Sequence, residues 1–246
     1  VNIKLFRQGP KDIRLNDTKI SQKELIGTLN TVIFCPEDLQ LIKGTPSGRR
    51  RFLDMEISQT SATYYHQLMQ YNRLLQQRNT ILKEYRGKQN IPLEEWDLQL
   101  ADMASFIVKK RLESLKKINL LIDLMNRKLT GGLENLTIGY EQPYMDNGSL
   151  EFTKEGFYER IKAALPQDRH RMTTSVGPHR DDLRFFSDAM DLKKFGSQGQ
   201  QRTAVLSLKL SELEFIKSEV GEYPVLLLDD VLSELDESRR ANLLQF

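Results

Sequence analysis

Two long apolar stripes with helical spacing occupy the middle of the chain, and they limit its fold more than any other feature. Spacings of three and four residues, repeated over several turns, are typical of amphipathic helices. The first stripe consists of Tyr64, Leu68, Tyr71, Leu74, Leu75, Ile81 and Leu82, and the second of Val108, Leu112, Leu115, Ile122, Met125 and Leu129. Between them, "GKQNIP" at 87–92 contains Gly, Asn and Pro, which favour a turn. The sequence therefore predicts two long helices, folded back as an antiparallel hairpin, between about Pro46 and Thr130.

Shorter segments on both sides of this helical region have the pattern of strands. Within 1–35, apolar and polar residues alternate in "VNIKLF", "DIRL" and "TVIF". After "TGG" at 130–132, we expect a strand at "LTIGYE", a short helix near 154–165, a hairpin at 182–195, a helix that starts in "FGSQGQQ" and a strand in "YPVLLLDDV". The chain is therefore predicted to be an α/β protein, with a sheet flanked by helices and an inserted helical hairpin.

The segment "PVLLLDD" at 224–230 is the strongest strand candidate. Its run of apolar residues is typical of a strand buried on both faces, and Asp229 and Asp230 follow directly. Ligands of open α/β sheets bind at the carboxyl ends of the strands. Taken alone, the pattern fits either a ligand site or a solvated strand end.

The stretch "FGSQGQQRTAVLSLKL" at 195–210 places polar residues and glycines directly before a helical pattern. At a helix N-terminus, free backbone N–H groups and the helix dipole favour an anion such as phosphate. Gly199 has no Cβ to hold a ligand away from the backbone, and the Ser197 hydroxyl adds a donor. The alternative is that Ser197 only caps the helix.

Composition excludes several classes of protein. The 246 residues are 39% hydrophobic and 28% charged, which suits one large or two small cores. Cys35 is the only cysteine, so the chain can form neither an internal disulfide nor a cysteine zinc cluster. There is no apolar run of 18 residues and no signal-peptide pattern, and we therefore expect a cytoplasmic protein with no membrane partner. The chain starts in a strand pattern and stops in a helical one, so we expect it to be part of a longer protein.

The order of these motifs resembles the ATP-binding cassette (ABC) superfamily. Ser-x-Gly-Gln-Gln from Ser197 precedes a helix, then the strand with Asp-Asp, then "SELD" at 233–236. Within that superfamily, "FCPEDLQLIKGTPSGRRRFLD" at 34–54 and "GPHRDDL" at 177–183 resemble the RecF family of recombination and gap-repair ATPases. The resemblance implies an ABC-type ATPase head with an inserted α-helical lobe. The expected divisions are 1–45 and 133–246 in the head and 46–132 in the helical lobe.

The resemblance also implies the roles of individual residues at an ATP and Mg²⁺ site. Ser197, Gly199 and Gln200 match the signature motif, which in the family closes over the γ-phosphate held by a second subunit. Asp229 matches the Walker B aspartate that helps to hold Mg²⁺, and Asp230 stands where many relatives carry a catalytic glutamate. The remaining matches are Asp236 in the D-loop and Glu37 and Asp38 at a junction that senses the metal and the γ-phosphate.

One departure from the family pattern concerns activity. A P-loop needs Gly, four residues and then Gly-Lys-Ser/Thr, and the chain contains no such run. We therefore expect slow, DNA-stimulated ATP hydrolysis from the full-length protein and no useful activity from this chain alone.

The resemblance further implies a role in DNA repair. We expect an ATP-dependent homodimer that binds double-stranded and gapped DNA, works with RecR and RecO, helps to load RecA on single strands and associates with the nucleoid. Roles in replication-fork maintenance and SOS induction are implied too. The alternatives are an SMC-type head that tethers DNA with incidental hydrolysis, and a membrane-coupled ABC ATPase, which the long helical insertion and its basic residues disfavour.

Basic clusters are the candidate DNA contacts, because phosphate contacts give affinity without reading sequence. The net charge of +2 neither requires nor excludes a polyanionic partner. The candidates are Arg49, Arg50, Arg51, Lys109, Lys110, Arg111, Arg169 and Arg171. Internal ion pairs are an alternative for the first three, and His179 and Arg180 could either contact phosphate or brace their own loop.

Overall fold

The structure is a computed structural model that describes residues 1–7, 9, 11–86, 92–144 and 152–229. Its strands form three small sheets. The strands are β1 (Asn2–Lys4), β2 (Asp12–Leu15), β3 (Thr18–Ile20), β4 (Thr31–Phe34), β5 (Leu136–Glu141), β6 (Asp182–Ser187), β7 (Met190–Asp191) and β8 (Val225–Leu228). The strands predicted in "VNIKLF", "DIRL", "TVIF", "LTIGYE" and "PVLLLDD" are all confirmed.

The sheets differ in direction and partners. β1, β2 and β3 form an antiparallel sheet, and β5, β6 and β7 form another. Asn16 and Asp17, which connect β2 and β3, both have positive φ, as the tight turn of a two-residue hairpin requires. β4 and β8 instead pair in parallel, although nearly 200 residues separate them, so that their carboxyl ends meet.

Helices make up most of the rest. They are α1 (Gln22–Leu25), α2 (Gln40–Lys43), α3 (Pro46–Thr60), α4 (Ala62–Glu84), α5 (Glu94–Thr130), α6 (Lys154–Ala163), α7 (Leu165–Arg171), α8 (Leu192–Phe195) and α9 (Gln198–Val220). Two short 3-10 helices cover Pro36–Leu39 and Pro178–Arg180. No helix in the described ranges has both the length and the apolar composition needed to cross a membrane.

The predicted helical hairpin is confirmed as α4 and α5. Near one end of the pair, Arg78 contacts Asp97, and near the other end Tyr64 bonds to Arg111. The contact that lies later in α4 lies earlier in α5, so the two helices run antiparallel. Residues 87–91 of the predicted turn lie outside the described residues. The structure adds α3 before the hairpin, separated from α4 by Ser61, whose hydroxyl accepts a bond from the N–H of Tyr64 at 3.2 Å.

The core runs continuously from the hairpin to the sheets. α5 packs against α4, α6 and α9, and α9 is buried around most of its circumference. Some of its buried residues are polar, and the hydroxyls of Ser207 and Ser211 donate to carbonyls of α9 itself. The divisions predicted at 45/46 and 132/133 remain predictions.

One expectation about the sheet is not met within the part of the chain that the structure describes. The sequence predicts that Val225–Leu228 is buried on both faces, whereas all four residues of β8 are exposed, by 36 to 46%. Among the described residues, β4 is the only strand that pairs with β8. A strand of a parallel sheet becomes buried only when a second neighbour and helices cover it. A local apolar run cannot indicate how many neighbours a strand has.

Candidate functional site

The N-terminus of α9 has the geometry that the sequence predicts, and Ser197 is its cap. The Ser197 hydroxyl accepts a bond from the N–H of Gln200 at 3.2 Å, and the Gln200 side-chain oxygen accepts one from the N–H of Ser197 at 3.0 Å. This reciprocal pair is a capping box. The Gln200 amide nitrogen also donates to Glu134 at 3.0 Å. Ser197 therefore caps the helix, and a ligand could bind only to the backbone N–H groups that the cap does not use.

Two backbone donors remain beside the cap. The N–H groups of Gln198 and Gly199 make no hydrogen bond to any other described residue, and both residues are exposed. A Cβ added to Gly199 would meet only the Ser197 hydroxyl oxygen, at 3.9 Å, which is an ordinary contact. Gly199 also has no positive φ. The fold of the described residues therefore does not require glycine at this position, whereas close approach of a phosphate to the backbone would benefit from it.

Asp229 lies where the two parallel strands end. Its N–H donates to the carbonyl of Phe34 at 2.9 Å, which continues the ladder of β4 and β8. The chain that follows Phe34 is the 3-10 helix with Glu37 and Asp38. The carboxyl edge therefore brings together the segments of Asp229 and of Glu37 and Asp38.

The acidic residues at this edge differ in how they are held. Asp229 and Glu37 are exposed, whereas Asp38 turns inward and accepts a bond from the N–H of Cys35 at 2.9 Å. Asp230 and Asp236 lie outside the described residues. No group of three or more possible metal ligands is present in the part of the chain that the structure describes.

A buried charged cluster joins α9 to the Asp38 segment. The Lys209 ammonium lies 2.9 Å from Glu212 and 3.8 Å from Asp38. It also lies 6.0 Å from the ring centre of Phe34 and 5.7 Å from that of Phe52. Burial lowers the pKa of Lys209, but the carboxylates of Glu212 and Asp38 outweigh it and raise that pKa. α9 thus carries a charged lysine that holds the acidic segment.

This cluster contains more negative than positive charge. Glu56, on α3, is 4% exposed, and burial raises its pKa from 4.5 to about 7 despite the attraction of Lys209. Burial also raises the pKa of Glu212, and the nearby Glu56 adds to that effect. One oxygen of each glutamate has no hydrogen-bond partner within the described ranges. The cluster is therefore most stable when a glutamate carries a proton.

Two of the candidate DNA contacts are inside the protein. Arg111 is 2% exposed and bonds to Asp54 at 2.9 Å, to the carbonyl of Pro178 at 2.7 Å and to Asp181 at 3.3 Å. Arg49 is 3% exposed and makes two bonds to Asp182, at 2.7 and 2.9 Å. The DNA assignment of Arg49 and Arg111 is therefore corrected: each neutralises a carboxylate in the interior and cannot reach a phosphate.

The other basic candidates lie nearer the surface. Arg50 donates to the carbonyl of Asp181 at 2.6 Å, and Lys110 pairs with Glu113 at 2.7 Å. The exposed or partly exposed candidates are Arg50, Arg51, Lys109, Lys110, Arg169 and Arg171. They remain candidate phosphate contacts.

His179 and Arg180 brace their loop. Arg180 donates to the carbonyl of Thr174 at 2.6 and 3.0 Å, and Nε2 of His179 lies 3.0 Å from the same oxygen. Because that oxygen can only accept, Nε2 carries the proton and Nδ1 accepts from the Tyr71 hydroxyl at 2.6 Å. Burial lowers the pKa of His179 to about 4, so the ring is neutral. Gly177 has φ +132°, and a Cβ there would collide with the Tyr71 hydroxyl.

Comparison with known proteins gives one consistent family. No protein-family model matches the chain. The DNA replication and repair protein RecF of Alkaliphilus oremlandii (strain OhILAs) is 47% identical over 243 residues, which cover 98% of this chain and 66% of that protein. The RecF of Clostridium beijerinckii (strain ATCC 51743 / NCIMB 8052) is 44% identical over 247 residues, which cover 100% of this chain and 66% of that protein.

Comparison with solved structures gives the same family. A structure of the recombination mediator protein RecF with ATPrS, in the RecFOR pathway, superposes with a TM-score of 0.90 at 38% identity and covers 99% of this chain and 66% of that one. A structure of RecF with ATP gives a TM-score of 0.88 at 38% identity and covers 96% of this chain and 64% of that one.

The fold and the site together define the class of protein. The chain superposes on these structures and has the fold of an ABC-type ATPase head. It shows helices around small sheets, an exposed helix N-terminus and an aspartate at the carboxyl edge of two strands. The chain belongs to the RecF family. It spans about 66% of the length of the curated relatives it matches. The family and the fold class that the sequence predicts are thus confirmed.

Proposed function

We propose that this chain supplies the signature side of an ATP site in a DNA-binding ATPase of recombinational repair. The observation that carries the proposal is the N-terminus of α9, where Gly199 has open space and two backbone N–H groups are left by the cap. Such a terminus suits the terminal phosphate of a nucleotide. The similarity to RecF structures with ATP and ATPrS supports the same ligand.

The nucleotide that this terminus contacts belongs to a second subunit. In the family, the signature motif acts across the dimer interface, and the exposure of Ser197 and Gly199 is compatible with that role. The proposed assembly is a head-to-tail homodimer that forms with ATP bound and loosens after hydrolysis. Asp236 is proposed to lie at the same interface.

Asp229 and Asp230 are proposed to serve the nucleotide held by their own subunit. Magnesium prefers one or two carboxylates, with water and phosphate completing its shell, and an exposed Asp229 at the carboxyl edge fits such a donor set. Bound Mg²⁺ would neutralise phosphate charge. Asp229 would hold the metal, Asp230 would orient the attacking water, and Glu37 and Asp38 would respond to the γ-phosphate.

The proposed biological role follows from the family. The full-length protein is proposed to be a slow, DNA-stimulated ATPase that binds double-stranded DNA at gaps and helps to load RecA on single strands. Its proposed protein partners are RecR and RecO, which the RecFOR pathway of the structural relatives supports. Replication-fork maintenance and SOS induction are part of the same proposal. Because it contains no P-loop sequence, this chain alone is expected to be inactive.

The test is ATP-dependent dimerisation of the full-length protein. We expect Ser197→Arg to abolish dimers in sedimentation velocity with Mg-ATP while nucleotide binding stays near the wild-type level, because the residue acts on the nucleotide of the partner. The matched control is Ser61→Ala, which removes the cap of α4 at a similar cost of about 1 kcal/mol and should still dimerise. Normal dimers in Ser197→Arg would refute the signature assignment.

A further inference from the structure

A cavity between α6, α7 and the loop that precedes β6 is lined by three arginines. It is open to solvent, has a volume of about 750 Å³ and receives Arg160 from α6, Arg171 from the end of α7 and Arg180 from the 3-10 helix. Ligand sites in proteins commonly have volumes of this order. Arg160 is not among the DNA contacts that the sequence predicts, and for Arg180 phosphate contact is one of two alternatives.

These three arginines differ from the arginines that are buried inside the protein. Arg49, Arg78 and Arg111 each pair with one or two carboxylates at 2.6 to 3.3 Å. Within the described ranges, no ion pair is formed by any arginine of the cavity. Positive charges that converge without a counterion repel one another, so an arrangement of this kind favours an anionic ligand.

Other charges around the cavity do not neutralise them. Asp168 on α7 is fully buried and is used by Arg78 and by the N–H and hydroxyl of Ser175. Among the described residues that line the cavity, Glu159 is the only carboxylate, and it is exposed. The described part of the lining therefore carries an excess of two positive charges.

The guanidinium groups are only partly used: Arg180 donates to its own loop, and the side-chain oxygen of Gln167 can accept from Arg171 at 3.2 Å. Arg160 donates through one terminal nitrogen to the carbonyl of Tyr144 at 2.5 Å, while its Nε is buried and has no partner among the described residues. A buried donor without a partner costs free energy that a ligand oxygen would recover. The negative end of the α7 dipole would explain a basic residue at Arg171, but its effect ends within the last turn and does not account for the other two arginines.

We propose that Arg160, Arg171 and Arg180 form a phosphate-binding pocket, here called the arginine pocket. Arginine suits this ligand because its planar fork of donors matches the oxygens of phosphate. The source of the phosphate is proposed to be the backbone of DNA. That choice of source rests on the proposed function, whereas the pocket itself does not.

The first experiment tests the pocket with inorganic tripolyphosphate. Full-length protein is saturated with Mg-ADP, so that its nucleotide site is occupied, and is titrated by calorimetry. Replacing one guanidinium by an amide in Arg171→Gln or Arg160→Gln should weaken binding by about tenfold or more, because hydrogen bonds to charged groups are the strong ones. Arg171→Lys should recover part of the loss. Lys154→Gln, which removes one charge from an exposed position on α6, should bind like the wild type.

Two results would overturn the pocket: no binding of tripolyphosphate by the wild-type protein, or equal affinity in Arg171→Gln and Lys154→Gln. Arg171 is exposed, so its substitution should leave the melting temperature unchanged and keep the test valid if Arg160→Gln proves unstable.

The second experiment identifies the source. Duplex affinity is measured with ATP at several salt concentrations, and each lost phosphate contact should reduce the log-log salt slope by about 0.9. Arg160→Gln and Arg171→Gln should each show this reduction, and Lys154→Gln should not. If the wild type binds duplex but all variants have the wild-type salt slope, DNA is refuted as the source of the phosphate. The existence of the pocket is then decided by the tripolyphosphate titration alone. If the wild type binds no duplex, the proposed function fails instead.

Discussion

Glu56 should make the protein less stable as the pH rises, and replacing it by glutamine should remove that effect. In the folded protein its pKa is raised from 4.5 to about 7, mainly by burial. A carboxyl group whose pKa is raised on folding stabilises the folded state below its unfolded pKa and loses that contribution as the pH rises. The loss therefore falls between about pH 4.5 and pH 7.

The magnitude follows from the size of the shift. One pKa unit corresponds to about 1.4 kcal/mol, so ionising Glu56 in the folded protein costs on the order of 3 kcal/mol above neutral pH. Glu212 titrates in the same direction, Lys209 is the positive charge that faces Glu56, and Asp38 acts on Glu212 and Lys209. Glu56→Gln keeps the shape of the side chain and cannot ionise. We expect it to raise the melting temperature by several degrees at pH 8 and by much less at pH 5.

The assay is thermal unfolding of full-length wild type and Glu56→Gln across pH 5–8. Glu222→Gln, at an exposed position, removes the same charge and should show no pH-dependent difference from the wild type. The reasoning is refuted if the difference in melting temperature between Glu56→Gln and the wild type is the same at pH 5 and pH 8. It is also refuted if the variant melts below the wild type at pH 8. In that case Lys209 must compensate both carboxylates.

Two further substitutions test the site and the interior. Asp229→Asn in the full-length protein should lower steady-state ATP turnover by about 100-fold or more, because metal positioning carries most of the electrostatic stabilisation of phosphoryl transfer; unchanged turnover would show that β8 is not a Walker B strand. Arg111→Met should destabilise the protein by about 3–5 kcal/mol in thermal melting, because it leaves Asp54 and Asp181 without their partner. Lys110→Met, which loses a surface pair, should cost less than about 1 kcal/mol, and similar costs for the two would contradict the interior role of Arg111.

Local pattern was sufficient for the elements that are defined by local physics. The stripes at 64–82 and 108–129 lie in α4 and α5, and "TGG" marks the end of α5, where Gly131 has φ +66°. The start of α9 was predictable because Ser197 and Gln200 have the spacing of a capping box. The exposure of β8 could not be predicted, because it depends on which other strands and helices lie beside that strand.

An internal ion pair was an open alternative for Arg49, but the buried charges of Arg78 and Arg111 were missed, although the sequence contains a signal for them. Arg111 lies three residues after Val108 and four before Leu115, which places it on the apolar stripe itself. Arg78 lies four residues after Leu74 and four before Leu82, which places it on the stripe of α4. A charged residue at a core position of a strong stripe indicates a buried ion pair. Its partners could not be predicted, because Asp54 and Asp181 come from distant parts of the chain.

The burial of Arg111 determines how the proposed DNA contacts of α5 must be tested. Replacing Lys109, Lys110 and Arg111 together would damage the fold through Arg111, so a loss of DNA binding would not identify a contact. Lys109→Gln with Lys110→Gln removes only surface charge, and Lys110 gives up no more than its pair with Glu113. If both lysines contact phosphate, the log-log salt slope of duplex binding by the full-length protein with ATP should fall by up to about two units, with little dependence on sequence. Glu113→Gln is the matched control, because it frees Lys110 and should leave the slope unchanged or raise it. An unchanged slope in the double variant, with the melting temperature preserved, would exclude this face of α5 from the DNA interface.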